Sequence, residues 1–462
     1  MQKINPNPSS FRDPEGYVVS IAGSPARVIT AAGKRSYDAL MGSGLYDALA
    51  GRGLLVEHRE MESIPDGMSQ NQIYKVIVPK KLPFVSYPYE WCFSQLRDAA
   101  ITTLEVQEMA LKHGMTLKDA SPFNVMFVGY KPLFIDTLSF EPYEEGAPWK
   151  PYRQFCETFL APLFLMSKLD LRLGSALKHF LDGIPLDLCR KLLGKKAIMG
   201  LAPLTHIWVH SFMQKRYADT SSETGGYKKG ISRKGIEALI DNLHGCINRL
   251  KPPRQKTPWR EYYAHTSYSE SSFLAKKEGV LKLAERIKPK MVWDIGGNTG
   301  EFSTLFSERK IYTVCFDGDI GCVEECYIGA KKRRDKSLLP LFLDITNPTP
   351  AVGWQNEERE SILSRGPADL VLFLAVIHHI ALGHNVPLSM IAKMLSQAAK
   401  NLAIEFVPKE DPQAQRLLIN KGDIFPDYTE ENFRREFSKA FRIEDRIPIE
   451  GSGRSLYLMS GA

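Results

Sequence analysis

The sequence predicts an α/β protein whose C-terminal part is a mostly parallel sheet covered by helices, preceded by a separate α+β domain. Three observations indicate this organisation. Between residues 291 and 399, short apolar runs alternate with helical patterns, as in parallel sheets with helices on both faces. Two strand-like runs near the end are joined by a short Gly-Ser-Gly turn, so they must be antiparallel. At 462 residues the chain is also too long for one ordinary core.

The predicted strands of the C-terminal sheet are short and apolar. They are Met291–Ile295, Tyr312–Phe316, Leu339–Leu343, Leu370–Leu374 and Ala403–Val407. Helical patterns lie between most of them, at Phe302–Glu308, Gly321–Ala330 and Leu388–Ala399. The closing antiparallel pair is Phe441–Ile449 and Ser455–Met459. Five parallel strands followed by a closing hairpin predict a seven-stranded sheet.

The N-terminal region has a different pattern. It begins with strand-like runs at Tyr17–Ile21, Ala26–Thr30 and Ile73–Val78, and it becomes mainly helical after Tyr152. The small, polar, Gly-containing stretch Asp219–Ser232 is the best candidate for a break between domains. We therefore predict an α+β domain over residues 1–217, a linker and helix over 218–258, and the second domain over 259–462.

Composition narrows the class of protein. A formal net charge of +7 is small for this length, so it permits an acidic ligand without indicating a nucleic-acid partner. The seven cysteines are scattered and have no zinc-site spacing, which fits a reducing cytoplasm and predicts no bound metal. The longest apolar stretches are far shorter than a membrane span. We expect a cytoplasmic protein with no integral membrane contact, and the sequence leaves its oligomeric state open.

The strongest local motif reads WDIGGNTG. A hydrophobic strand ends in Asp294, turns through Gly296, Gly297, Asn298 and Gly300, and then opens a helix. Glycines allow the backbone to turn tightly and to approach a ligand without a Cβ in the way. Asn298 stands where a glycine is common, and Asn tolerates unusual backbone angles better than most residues. Since NAD-binding folds use a similar turn, residues further along the chain must distinguish the two classes.

Acidic and histidine residues follow the next three predicted strands. Asp317 ends the second strand, Asp344 and Ile345 follow the third, and His378 and His379 follow the fourth. Together with the Gly-rich turn, and in this order, these residues resemble the motifs of class I S-adenosylmethionine (SAM)-dependent methyltransferases. Enzymes of that family have a Rossmann-like seven-stranded fold. The G-x-G-x-x-G spacing typical of a dehydrogenase is not present in the turn. The resemblance implies SAM as cofactor, with the binding residues Asp294, Gly296, Gly297, Asn298, Gly300, Asp317, Asp344 and Ile345.

His378 and His379 are the candidate catalytic residues. They are predicted at the C-terminal edge of the sheet, where ligands of open α/β folds bind. The sulfonium of SAM already makes its methyl group electrophilic, so the protein has mainly to align a nucleophile and exclude water. An oxygen or nitrogen nucleophile can also need a base. In the alternative interpretation, the histidines only begin the next helix and line the cofactor pocket.

A second motif lies in the N-terminal region, where LKDASPFN is followed by PLFID. The spacing of Asp119, Asn124 and Asp136 resembles the catalytic loop and metal-binding Asp of protein kinases and aminoglycoside phosphotransferases. The resemblance implies a kinase-like domain with an Mg-ATP site. The sequence departs from the kinase pattern because Thr137 and Leu138 replace Phe-Gly, and no phosphate-covering Gly-rich loop is visible. The alternative is a hairpin in which the Asp and Asn side chains cap turns.

Longer segments carry a resemblance over nearly the whole chain. The segments LKDASPFNVMF, FIDTLSFE and PWKPYRQFCETFLAPL, followed by WDIGGNTGEFS, are similar to bacterial proteins related to the nodulation protein NoeA. This implies a methyltransferase that acts on a cell-surface or signalling saccharide. We predict a SAM-dependent methyltransferase whose acceptor, a saccharide or small molecule, is bound by the N-terminal domain. Two alternatives stay open: a bifunctional enzyme that phosphorylates and methylates a glycan, and a non-catalytic binding subunit with the SAM fold. The intact set Asp294, Gly296, Gly300 and Asp317 argues against the non-catalytic subunit.

Overall fold

A computed structural model describes residues 4–65, 72–194, 231–253, 270–419 and 423–461. The chain divides into two compact units. The N-terminal unit comprises Met1–Arg254 and the short segment Val352–Arg359, and the C-terminal unit comprises Gln255–Ala351 and Glu360–Ala462. The domain limits predicted at 217/218 and 258/259 lie outside the described residues.

The N-terminal unit begins with an antiparallel sheet. Its strands are β1 (Ile4–Pro6), β2 (Gly16–Ile21), β3 (Ser24–Thr30), β4 (His58–Glu60) and β5 (Ile73–Pro79). The strand order is β1-β2-β3-β5-β4. Alternation along β3 buries Val28 in a cluster with Val19 and Val76 on one face. On the other face Ile29 packs against Tyr37.

Helices and two short hairpins follow this sheet. The short strands are β6 (Met115–Leu117), β7 (Val125–Val128), β8 (Lys131–Phe134) and β9 (Phe140–Pro142), paired as β6 with β9 and β7 with β8. The helices are α1 (Lys34–Gly42), α2 (Leu45–Gly51), α3 (Phe93–Lys112), α4 (Tyr152–Phe155), α5 (Ala161–Lys168), α6 (Leu186–Leu193) and α7 (Arg233–Arg249). A π-helical turn, Cys156–Leu160, joins α4 to α5. The predicted α+β character is confirmed, and the order of sheet, long helix, loop, hairpin and Asp136 is that expected of a kinase-like domain.

The C-terminal unit contains one sheet with helices between its strands. Its strands are β10 (Met291–Ile295), β11 (Tyr312–Asp317), β12 (Leu338–Phe342), β13 (Leu370–Phe373), β14 (Asn401–Phe406), β15 (Phe441–Pro448) and β16 (Ser455–Gly461). The helices are α8 (Glu270–Ile287), α9 (Glu301–Ser307), α10 (Ile320–Arg333), α11 (Leu388–Ala398), α12 (Pro412–Leu418) and α13 (Glu430–Phe437).

The strand order β12-β11-β10-β13-β14-β16-β15 confirms the predicted seven-stranded sheet. The first five strands are parallel, and β16 runs antiparallel to both of its neighbours. This is the class I methyltransferase arrangement. The order reverses direction between β10 and β13, and in open α/β sheets the ligand crevice lies outside the carboxyl ends of the strands at such a point.

The core of this unit explains why its strands are continuous apolar runs. On one face, Val292, Leu370 and Leu372 are completely buried and pack in one cluster with Phe302 and Phe306 of α9. On the other face, Trp293 is 1% exposed and meets Phe316 edge-on at 5.6 Å. Because both faces are covered, each strand needs apolar residues at nearly every position.

Among the described residues, we find no helix that combines the length and the apolar character required to cross a bilayer.

Phe127→Ala should destabilise the N-terminal unit strongly. The Phe127 side chain is completely buried on β7 and packs edge-on against Trp91 at 5.0 Å. Removing it leaves a cavity, so we expect a loss of about 3–5 kcal/mol in the free energy of unfolding. Urea unfolding followed by tryptophan fluorescence checks this. The matched control is Phe11→Ala, because Phe11 is 54% exposed and its loss should cost less than about 0.5 kcal/mol. Equal unfolding midpoints for the two variants would contradict the packing described.

Candidate functional site

The Gly-rich turn between β10 and α9 lies at the point where the strand order reverses. Gly296, Asn298 and Gly300 have φ values of +78°, +53° and +87°. These left-handed conformations favour glycine, and Asn adopts them more readily than most other residues. The sequence in the turn therefore matches the backbone that it has to form, including the position where Asn replaces a glycine.

Space around the turn also requires glycine. A Cβ on Gly297 would lie 2.6 Å from Cys315 Sγ, and a Cβ on Gly300 would lie 2.6 Å from Cys326 Sγ. A Cβ on Gly296 would collide with Val376, which follows β13. The turn is thus packed against the buried thiols of Cys315 and Cys326 and against Val376 in the loop after β13.

Asp317 fixes the turn to the carboxyl end of β11. Its Oδ2 accepts the Asn298 backbone N–H at 2.8 Å, and its Oδ1 accepts the Asp319 N–H at 2.8 Å. Burial raises the pKa of Asp317 to about 6, although both of these hydrogen bonds favour the ionised form. The carboxylate therefore lies beside the turn, where the resemblance predicts the acid that accepts ribose hydroxyls.

Asp294 lies deeper in the sheet. It is 2% exposed, and its Oδ2 accepts the Ser303 hydroxyl at 2.6 Å, which ties β10 to α9. Burial raises the pKa of Asp294 to about 6 as well. Of the two acids, Asp294 supports the turn from the interior, and Asp317 lies directly beside it.

Asp344 and Ile345 lie in the loop after β12, at the same edge of the sheet. The Leu343 N–H donates to the Asp317 carbonyl at 2.9 Å, which brings this loop against the end of β11. Asp344 is exposed and accepts the Thr346 N–H and hydroxyl at 2.9 and 2.6 Å, and Ile345 is half-buried. The structure thus brings the predicted residues after β10, β11 and β12 to one edge.

The two histidines follow β13 beside the turn, and they differ in burial. His378 is 1% exposed, and neither of its ring nitrogens has a hydrogen-bond partner among the described residues. His379 is half-buried and begins a π-helical turn that ends at Gly383, and the two imidazole rings lie 4.0 Å apart. Burial lowers the pKa of His378 well below its usual range and that of His379 to about 4. Both imidazoles are therefore neutral at physiological pH.

A buried ionic network near these histidines was not predicted from the sequence. Lys276 Nζ lies 2.6 Å from Glu405 Oε2, and Arg454 lies 3.2 Å from Glu405 Oε1. Arg454 also binds both oxygens of Asp411, at 2.7 and 3.0 Å. All four side chains are at most 9% exposed. The only signal in the sequence was Glu405, an acid within an otherwise apolar strand.

In the N-terminal unit, the structure brings Asp136 and Asn124 together through Ser139. The Asn124 side-chain amide donates to Ser139 Oγ at 3.1 Å, and Ser139 Oγ donates to Asp136 Oδ2 at 2.9 Å. Arg27 on β3 forms an ion pair with Asp136 Oδ1 at 3.1 Å and with Asp13 at 2.7 Å. The guanidinium therefore lies against the carboxylate that would have to bind magnesium. Arg27 was not predicted from the sequence, since nothing in its local pattern distinguishes it from a surface arginine.

The side chains of the predicted loop also cap turns. Asp119 accepts the Ser121 N–H at 2.9 Å, and Asp136 accepts the Leu138 N–H at 2.9 Å. Within the described ranges, no group of three or more His, Cys, Asp and Glu side chains is arranged to hold a metal ion. Asp119 and Asp136 thus make the contacts that the turn-capping alternative expects, and Arg27 lies beside the proposed metal-binding acid.

The residues at the C-terminal site fit a nucleoside-bearing cofactor such as SAM. The turn is a cradle that any Cβ would fill, and Asp317 is a buried carboxylate beside it. A carboxylate accepts hydrogen bonds from two neighbouring hydroxyls, which is the chemistry that a ribose presents.

Comparison with known proteins gives one extensive match in sequence. No family profile matches the chain. It is 34% identical over 452 residues to the nodulation protein NoeA of Rhizobium meliloti (strain 1021), covering 97% of this chain and 94% of that protein.

Three solved structures match less than half of this chain. The bifunctional kinase-methyltransferase WbdD is 18% identical over 43% of this chain and 41% of its own, with a TM-score of 0.30. A SAM-dependent methyltransferase from Aquifex aeolicus is 18% identical over 45% of this chain and 100% of its own, with a TM-score of 0.31. Magnesium protoporphyrin IX methyltransferase from Synechocystis PCC 6803, with bound S-adenosylhomocysteine, is 16% identical over 44% and 93%, with a TM-score of 0.31.

Gly296→Ala should abolish binding of S-adenosylhomocysteine without unfolding the chain. The new methyl group would meet Val376, and alanine disfavours a φ of +78°. The turn must then move away from the position that receives the ligand. Calorimetric titration with S-adenosylhomocysteine measures the effect. In the control Gly329→Ala, on α10, the new Cβ meets only the flexible end of Arg333, so affinity should be unchanged. Equal affinities for both variants would place the ligand elsewhere.

Proposed function

The chain belongs to the family of the nodulation protein NoeA, and we propose that its C-terminal unit is a SAM-dependent methyltransferase. The observation that carries the proposal is the left-handed turn Gly296–Gly300, held to Asp317 where the strand order of a class I sheet reverses. Sequence signature, backbone conformation and topology agree at this one place, and a non-catalytic protein has no need to keep all three.

In the proposed function, the cofactor would supply an electrophilic methyl group. The protein would bind the cofactor and the acceptor, orient them, and exclude water. Asp317 would accept hydrogen bonds from the ribose, while Asp344 and Ile345 would border the adenine. Asp294 would hold β10 and α9 together beneath the turn. His378 and His379 would border the methyl group, because their loop packs on Gly296 through Val376.

We assign the N-terminal unit to acceptor binding, with a small molecule or saccharide as acceptor. The kinase-like order of elements supports a ligand-binding role. The Arg27–Asp136 ion pair weighs against phosphate transfer, because a bound guanidinium repels the magnesium ion that the carboxylate would have to coordinate. We therefore rank the bifunctional enzyme below the methyltransferase that binds its acceptor without phosphorylating it.

Affinity for S-adenosylhomocysteine should fall as the pH drops through about 6. The pKa of Asp317 is raised to about 6, so below that pH the carboxyl becomes protonated and loses acceptor capacity for the ribose hydroxyls. Binding that requires the ionised form weakens by about tenfold per pH unit below the pKa. Titration calorimetry from pH 8 to 5 measures this.

Asp317→Asn should bind S-adenosylhomocysteine weakly at pH 7.5, and its affinity should depend less on pH than that of the wild type. The control Glu308→Gln removes an exposed carboxylate at the end of α9 and should behave as the wild type. A folded wild-type protein that binds no S-adenosylhomocysteine at any pH would refute the proposed function.

Phosphate transfer from Mg-ATP should be absent. Incubation with γ-labelled ATP and magnesium should release no more phosphate from the wild type than from Asp136→Asn, since Arg27 already neutralises Asp136. Asp47→Asn, an exposed change on α2, is the matched control. ATP turnover that Asp136→Asn removes and Asp47→Asn retains would favour the bifunctional enzyme instead.

A further inference from the structure

His378 is a buried polar side chain with unused hydrogen-bonding capacity. It is 1% exposed, and both of its ring nitrogens lack partners among the described residues. A neutral imidazole has one donor and one acceptor, and leaving such groups buried and unpaired costs about 1–3 kcal/mol each. Buried polar groups are otherwise almost always paired, so the side chain indicates a ligand group that completes its hydrogen bonds.

The position of His378 relates it to the methyl-transfer site. Its loop follows β13, the strand beside β10 at the reversal of strand order. Val376, two residues earlier, packs where a Cβ on Gly296 would lie. Ala375 has a φ of +56°, a strained conformation for alanine. The segment that carries the imidazole is therefore packed against the Gly-rich turn through Val376.

The charges around His378 favour an uncharged acceptor group. Burial, His379, Arg454 and Lys276, in that order, lower the pKa of His378. A protonated amine would approach two like charges, so an ammonium is disfavoured there. Each cation is also paired, Lys276 with Glu405 and Arg454 with Glu405 and Asp411, so no unpaired cation of this network attracts an anion. A carboxylate acceptor would in addition leave the imidazole unused, since it has no proton to release.

We propose that the acceptor group is an uncharged hydroxyl whose proton passes to His378. This rests on the proposed methyltransferase function and adds the acceptor chemistry to it. Lys276, Glu405 and Arg454 serve as positioning residues, because their ion pairs connect α8, β14 and the residue before β16, and both cations act electrostatically on the imidazole. The product is a methyl ether.

Methyl transfer to the hydroxyl oxygen releases one proton. The hydroxyl oxygen forms a bond to the methyl carbon while the carbon–sulfur bond breaks and leaves its electron pair on sulfur. The hydroxyl proton moves to a ring nitrogen of His378, and the imidazolium later releases it to water. A weakly basic imidazole suffices because the oxygen becomes strongly acidic as it gains the methyl group.

The test uses the full chain, methyl-labelled SAM and a small-molecule extract of bacterial cells as the acceptor source. Mild alkali first removes methyl esters, and hydriodic acid then converts the methyl groups of ethers to volatile methyl iodide and leaves C-methyl groups in place. We expect the transferred label to be volatile. His378→Gln should lower transfer by about 10²–10⁴-fold with unchanged affinity for S-adenosylhomocysteine. His384→Gln, an exposed neighbour, is the control and should transfer normally.

The pH profile separates positioning from a merely structural role. At saturating SAM, where the titration of Asp317 does not limit binding, Lys276→Met removes a cation that lowers the pKa of His378 and should raise the pH below which transfer falls. Glu405→Gln removes the anion paired with that cation and should lower this pH. A structural role would lower transfer equally at every pH. Both variants are first checked for binding of S-adenosylhomocysteine, which reports a folded site.

Several outcomes overturn the proposal. The label could be found on nitrogen or carbon, or a wild type that binds S-adenosylhomocysteine could label no hydroxyl. His378→Gln could also transfer the methyl group normally, or it could lose its affinity for S-adenosylhomocysteine. Loss of that affinity would make His378 a cofactor ligand. A wild type that binds no S-adenosylhomocysteine instead refutes the proposed function on which the inference rests.

Discussion

The hydrogen bond from the Asn298 amide to the Asp317 carboxylate holds the C-terminal site together. It joins the turn after β10 to the end of β11, and the Leu343 amide joins the next loop to the same residue. The left-handed conformations of the turn are tolerable only while this anchor and the close packing of Val376 persist. The three parallel strands end at one edge of the sheet, and Asp317 joins the loops that follow its two neighbours, one through its carboxylate and the other through its backbone carbonyl.

The sequence predicted this sheet well because its strands are buried on both faces. A continuous apolar run such as Met291–Ile295 has no other stable location, and its observed bounds equal the predicted ones. The turn was equally predictable, because left-handed backbone and close contacts leave glycine or Asn as the suitable residues. Local chemistry and topology here specify the same structure.

The ionic network and Arg27 were not predictable for a physical reason. Lys276, Glu405 and Arg454 lie on elements far apart in the chain, and each alone is compatible with an exposed charge. Only their burial shows that these charges pair with one another, and burial depends on how the helices and strands pack. In the N-terminal unit the same limit applied, since Asp136 and Asn124 had kinase-like spacing but Arg27 is more than a hundred positions from Asp136.

The two buried acids beneath and beside the turn have a thermodynamic consequence. Asp294 and Asp317 have pKa values raised from 3.8 to about 6, so folding of this unit takes up protons in that interval. Their contribution to stability is fully present below the unfolded pKa and is lost as the pH rises through about 6. At neutral pH the unit therefore carries two desolvated negative charges as a stability cost of keeping acceptors ready for a ligand. A ligand that donates hydrogen bonds to Asp317 and binds only the folded unit would raise the free energy of unfolding again.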